Sequence, residues 1–378
     1  MPQTPDAVTL TQRLIGFNTI NPPGREQACA AYLADLLEAA GFTTRMHAIG
    51  ADRASVVASL QGPDDDRPPL CFTGHIDTVP LGSRPWTQDP FAGTILDGRL
   101  YGRGSSDMKS GVAAFVAAAI AEANRLRKGP GVVLVITAGE ETGCDGAAAL
   151  ARDGQLGRAG AMVVAEPTSN YPFVGHKGAL WLKALTAGVT AHGSMPERGV
   201  NAVYKAARVI SRLEDFDFNV ARHPVLGKPT LNVGTVQGGL NINSVPDACA
   251  VGVDIRTIPG VDHEALRAGL RGYVGEDAAI EVAVDLNGVW TDPGTPWIAR
   301  VGAAVSHITG AAFEPRAATY FTDASILTPA YGNIPTVILG PGEAAMAHQT
   351  DEYCIVERIP QAVEIYRALI ADWAETAW

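Results

Sequence analysis

Cysteine is scarce and has no partner nearby. Cys29, Cys71, Cys144, Cys249 and Cys354 are five in 378 residues, far apart, with no CxxC among them. An odd, scattered set argues against a disulfide framework and for a reducing compartment. Positive charge is scarce too: Lys plus Arg number 29 against 40 Asp plus Glu, a net charge of −11. An acidic chain without a basic run is a poor partner for nucleic acid or anionic membranes. Long apolar runs are missing. The nearest, "GVAAFVAAAIAEA" from Gly111, is alanine-rich and too short to span a bilayer, so it reads as a buried helix. The opening "MPQTPDAVTLTQRLIGF" has no basic region followed by an apolar core, so no signal peptide is expected and a cytoplasmic location is. There is no internal repeat and no low-complexity tract.

What is present is core-forming sequence. With 378 residues, 47% of them hydrophobic, the chain can bury a large core, and its length predicts two domains. Helices are predicted near 5–16 and 25–41, with "INPPG" between them and Gly41 ending the second. Continuous apolar runs at 69–75, 132–138, 161–166 and 335–340 predict strands covered on both faces. Long helices are expected near 108–127 and 354–375. That alternation predicts an α/β layer on a mostly parallel sheet. Residues 177–286 follow another order, strand–helix–strand–strand–helix–strand, enough for a small independent unit. The expectation is one domain inserted into another: 1–176 with 287–378, interrupted by 177–286.

The chemistry lies just past the strand ends. "CFTGHIDTVP" supplies His75 and Asp77, which share a face if the strand continues. "YGRGSSDMKSG" supplies Asp107, "VITAGEETG" Glu140 and Glu141, "VVAEPT" Glu166, and "MAHQTDEY" His348. Ligands of open α/β sheets bind outside the carboxyl ends of strands. Singly, each residue has an ordinary explanation: a structural histidine, a solvated Glu pair, an Asp at a helix N-cap. Five segments that each finish on a ligand type are not explained that way. Imidazole and carboxylate without thiolate suit two divalent cations such as zinc; cobalt and manganese fit the same donors. "GRGSSD" fails as a dinucleotide loop because Asp107 stands where the third glycine belongs.

These motifs, in this order, resemble the M20 family of dinuclear zinc amidohydrolases and peptidases. It includes acetylornithine deacetylase, succinyl-diaminopimelate desuccinylase, aminoacylases and glutamate carboxypeptidases. The resemblance spans nearly the whole chain, the inserted segment included. It implies a zinc-exopeptidase-like catalytic domain with an inserted α+β lid and dimerisation domain. It also implies one metal site from His75, Asp107 and Glu166 and a second from Asp107, Glu141 and His348. Asp107 would span both cations, and the Asp107–Met108 peptide would be cis. Asp77 would orient His75 from the outer shell. Glu140 would take the proton of water and hand it to the leaving amine.

The same resemblance assigns parts to the insert. His192, in "TAHGSMPERGVNA", would reach the oxyanion in the active site of a second subunit. Asn243 in "NINSVPD" and Arg256 in "VDIR" match substrate-binding positions; an arginine fork suits a carboxylate. Thr322, in "ATYFTDASIL", matches a pocket-lining pair, but Phe321 stands where relatives carry glycine. The expected protein is a cytoplasmic homodimer that hydrolyses the amide of a small N-acyl amino acid, with a dipeptidase or carboxypeptidase as the close rival. A binding protein that had lost the reaction would lack Glu140 or a ligand, and neither is lost. A nucleotide-dependent oxidoreductase lacks its fingerprint.

Overall fold

The structure, a computed structural model, describes residues 4–63 and 65–376. It divides into two compact units. The first takes in the chain up to Gly175, Trp290–Arg316 and the chain from Thr322 onward; the second is His176–Val289 with Ala317–Phe321.

A nine-stranded mixed sheet organises the first unit. From one edge it runs Thr43–Gly50, Arg53–Leu60, Val132–Thr137, Leu70–His75, Ala161–Val164, Thr336–Ile338. The last four of these are mutually parallel; Arg53–Leu60 runs antiparallel beside them, and Thr43–Gly50 antiparallel to Arg53–Leu60. The parallel core strands are buried at every position, as their unbroken apolar sequences require. Helices Gln27–Ala39, Ser110–Ala121 and Arg358–Glu375 cover them and share one core. Phe72 on the sheet meets Phe115 at 6.0 Å and Tyr366 at 5.3 Å between ring centroids. Small residues let the Ser110–Ala121 helix lie very close to the sheet. A Cβ at Gly111 would come within 2.1 Å of the Ala165 carbonyl oxygen, so the helix start sits against the segment that carries Glu166.

Several boundaries differ from the sequence reading. The Leu70–His75 strand stops at His75, so Asp77 is not on it and does not share its face by strand alternation. The expected helix at 108–127 begins with a distorted turn, Ser105–Lys109, in which Asp107 and Met108 are not helical, and it breaks at Glu122. The Asp107–Met108 peptide is cis. The last helix starts at Arg358 rather than 354, because Tyr353–Ile355 is a strand. That strand joins Arg99–Tyr101 and Ile95–Leu96 in a small sheet no apolar run announced.

The second unit is a four-stranded antiparallel sheet, in order Thr230–Gly238, Ala248–Thr257, Gly178–Ala187, Ala279–Leu286. Helices Ala202–Glu214 and His263–Val274 cover one face. The central strands alternate buried and less buried positions, the mark of a sheet with one covered face. Leu180, Leu182, Val209, Val251, Val253 and Ile255 form its core. Asn201 and Asp262 cap the helices through backbone N–H groups. Among the described residues, no helix is long and apolar enough to cross a membrane.

Candidate active site

The parallel strands end together, and their following loops carry the predicted residues. His75 closes its strand, and its neighbour in the next strand is Thr137, just ahead of Glu140 and Glu141. Glu166 follows Ala161–Val164. The Asp107 carboxylate lies between two imidazoles: Oδ1 is 3.2 Å from His75 Nε2, and Oδ2 is 3.5 Å from His348 Nε2. Each imidazole has a second carboxylate. Glu166 Oε1 is 3.7 Å from His75 Nε2, and Glu141 Oε2 is 3.1 Å from His348 Nε2. Ligand atoms of His75, Asp107 and Glu141 fall within 4.8 Å of one another, close enough to hold a metal ion. His75 is buried, whereas the His348 side chain is 53% exposed, so one side of the cluster is open. His348 holds a left-handed backbone, φ 63°, as strained residues at functional sites often do.

Electrostatics sets these carboxyls apart. Burial, then repulsion from neighbouring carboxylates, pushes Glu140 and Glu166 well above the usual carboxylate range. Burial and Asp107 raise Glu141. Burial would raise Asp107 too, but its hydrogen bond with His75 keeps it low. Burial would depress His75; its contacts with Asp107 and Asp77 carry it well above its ordinary value instead. Glu141 Oε1 is buried without a hydrogen-bond partner. Crowded, under-satisfied carboxylates beside imidazoles are the donor set a hard-to-intermediate divalent cation would relieve.

Two further carboxylates build the loops. Asp77 accepts the N–H groups of Glu140 (3.1 Å) and Glu141 (3.2 Å) and the Asn21 side-chain amide (3.0 Å). It thereby fixes the turn after Thr137. His75 Nδ1 lies 3.0 Å from the Asp77 carbonyl and 3.5 Å from its carboxylate, so Asp77 meets the ring through both backbone and side chain. Glu352, fully buried, accepts the N–H groups of Gly104, Ser106 and Asp107 at 2.8–3.0 Å and pairs with Arg103 at 2.6 Å. The strand Tyr353–Ile355 delivers it, paired with Arg99–Tyr101. Sequence reasoning missed Glu352 and Asn21. Glu352 stood within the quoted "AHQTDEY" and Asn21 within "INPPG", but nothing local marked either as an acceptor or donor.

Thr322, His192, Asn243 and Arg256 remain. The Thr322 hydroxyl is buried and accepts the Ala324 N–H at the start of a short helix. His192, Asn243 and Arg256 belong to the second unit. His192 and Asn243 are side by side: the Gly193 N–H donates to the Asn243 carbonyl at 2.7 Å, and His192 forms a bridge with Ser244. Arg256 pairs with Asp254 on its own strand.

Comparison with known proteins identifies the family. A probable succinyl-diaminopimelate desuccinylase of Staphylococcus epidermidis is 28% identical, over 98% of this chain and 98% of its own. An acetylornithine deacetylase of Myxococcus xanthus is 34% identical, over 89% of this chain and 90% of its own. Among solved structures, an M20 family metallo-carboxypeptidase from Sulfolobus solfataricus superposes with a TM-score of 0.82 at 18% identity, covering 98% of this chain and all of that one. The fold and these relatives define a hydrolase acting on amide bonds. The chain belongs to peptidase family M20/M25/M40, whose profile matches residues 71–372.

Glu352 provides a direct test of the loop scaffold. Glu352→Ala would leave Arg103 charged and buried and three N–H groups without an acceptor. Breaking a buried pair in this way costs about 3–5 kcal/mol. Denaturant unfolding of the variant should show a loss in that range; a loss below about 1 kcal/mol would mean that water or other groups replace the carboxylate.

Proposed function

We propose that this protein hydrolyses the amide bond of a small N-acyl amino acid, with two divalent cations held at the strand ends. The observation that carries the reading is the Asp107 carboxylate, whose two oxygens face two different imidazoles, each with its own second carboxylate. His75, Asp107 and Glu166 would hold one cation, and Asp107, Glu141 and His348 the other. When bound, the cations supply Lewis acidity, which lowers the pKa of water and polarises the scissile carbonyl. Glu140 lies beside these donors, and burial, then repulsion from Glu166 and Glu141, raises it, so its carboxylate oxygen suits a proton carrier: it takes a proton from water and gives it to the departing amine. Asp77 holds Glu140 and Glu141 by their N–H groups. Zinc fits the donors; cobalt and manganese fit them too.

The insert supplies the remaining groups in this reading. The His192 Nδ1 accepts the Ser194 N–H at 3.2 Å and lies 2.7 Å from its hydroxyl. In a neutral ring the proton is then on Nε2, which makes Nε2–H a donor for a developing oxyanion. His192 is exposed, and Leu240 and Ile242, beside Asn243, are 97% and 106% exposed. Bare apolar side chains of that size support pairing with a second copy, with His192 serving the partner's site. Arg256 offers a fork to the substrate carboxylate, with Asn243 as a further contact. Relatives named for deacylation favour an N-acyl substrate. Cleavage of a dipeptide or of a C-terminal residue by the same groups is the second reading, which the peptidase fold also accommodates.

Metal removal tests the reading first. Chelated protein should be inactive toward a panel of N-acetyl and N-succinyl amino acids and dipeptides, and zinc or cobalt should restore activity at close to two ions per chain. Full activity in metal-free protein would refute it, and the panel's preference separates deacylase from peptidase.

Glu140→Ala should retain its metals yet lose at least about 10²–10⁴-fold in kcat, the usual contribution of general acid–base catalysis. Metal loss in step with activity would make Glu140 a ligand instead.

Complementation tests His192. Inactive His192→Ala and Glu140→Ala chains, mixed under conditions where subunit exchange is verified, should regain up to about half the wild-type activity per hybrid dimer. Continued inactivity would show that His192 does not act in trans.

A further inference from the structure

Phe321 departs from the pattern the chain otherwise resembles, and its surroundings give it a use. The short segment Ala317–Phe321 packs with the second unit although it lies far along the chain. The Phe321 ring meets Trp181 edge-on, 5.8 Å between centroids at 76°. The Arg256 guanidinium lies 5.6 Å from the Phe321 centroid and 6.0 Å from that of Trp181. Asp254 closes the remaining side. It takes Arg256 Nε at 2.9 Å on one oxygen and Nη2 at 3.1 Å on the other, and it also accepts Trp181 Nε1–H at 3.0 Å. Arg256 thus has a carboxylate on one edge and two aromatic rings beside it, and these contacts leave Nη1 free to take a ligand.

A guanidinium that only balanced Asp254 would need no rings. Charge accounting also points beyond that pair. Lys177 lies near enough that burial and then the Arg256 charge hold its ammonium below its ordinary value. Its Nζ donates to the Lys228 carbonyl at 2.7 Å rather than to a carboxylate. A second cation therefore stands near Arg256, which favours an anion there. We propose that Phe321, Trp181 and Asp254 form a cradle that fixes Arg256 as a receptor for the substrate carboxylate, with Phe321 as a positioning residue that sets acid selectivity. The proposal rests on the reading of Arg256 given above. The rings restrict the rotamers of a long, flexible side chain and add cation–π attraction, so less freedom is lost when a carboxylate docks.

The experiment compares the fastest substrate of the panel with its carboxamide, which lacks the charge. The ratio of kcat/KM for acid over amide measures carboxylate recognition. Phe321→Leu keeps apolar volume but removes the ring; it should lower the ratio about 3–10-fold, the range of a partly desolvated cation–π contact, and the loss should appear in KM. Phe321→Tyr should retain the ratio. Arg256→Ala should lower it by about 10–10²-fold, the size of a charged hydrogen bond, and adding Phe321→Leu to Arg256→Ala should change it no further. A merely structural Phe321 would lower Tm without moving the ratio. A wild-type ratio in Phe321→Leu beside a collapsed one in Arg256→Ala overturns the cradle alone. An unchanged ratio in Arg256→Ala overturns the reading of Arg256, and the cradle with it.

Discussion

The Asp107 carboxylate, set between His75 and His348, is the contact around which the first unit is arranged. Holding a small anionic group between two rings from distant parts of the chain requires rigid supports on both sides. On one side His75 ends a strand buried at every position. On the other, Asp107 sits at the start of a helix pressed onto the sheet through Gly111. Parallel strands supply these supports well because all their carboxyl ends, and so all their loops, emerge at one edge.

Loops that carry charged groups need their own N–H groups satisfied, and two buried carboxylates meet that need. Glu352 gathers the N–H groups ahead of the Asp107–Met108 peptide, and Asp77 those of Glu140 and Glu141. Both are acids in a dry interior, yet they differ from Glu140, Glu141 and Glu166. Several donors converge on Glu352 and Asp77, whereas Glu141 has a buried oxygen with no partner. An acid surrounded by N–H donors is a structural acceptor; an acid crowded by other acids awaits a cation.

That distinction marks the limit of what the sequence discloses. The strands at 70–75, 132–137, 161–164 and 336–338 were legible because a two-sided covering leaves unbroken apolar runs. The strand–helix–strand–strand–helix–strand order of 178–286 was legible from the succession of its segments. The residues around Asp107 were legible as types at strand ends. Glu352 was not, because its role depends on pairing between 353–355 and 99–101, two three-residue strands more than 250 positions apart with no pattern of their own. Asp77 was expected beside His75; that its carboxylate also holds the neighbouring turn was not legible. The break at Glu122 and the distorted turn at 105–109 were hidden inside one helical-looking stretch.

Phe321 shows the same limit from the other side. Its departure from the resembled pattern was visible at once, but a sequence offers only the lost glycine, which reads as a change in backbone freedom. Its neighbours give a different meaning. Trp181, Asp254 and Arg256 lie on adjacent antiparallel strands, with Asp254 directly opposite Trp181 in register. Alternation along the strand puts Asp254 and Arg256 on one face. An aromatic residue arriving from position 321 then has a ring, a carboxylate and a guanidinium to pack against. A glycine there would leave Arg256 with Asp254 and one ring. In the proposed cradle the side chain matters for what it restrains in a neighbour, not for stability alone.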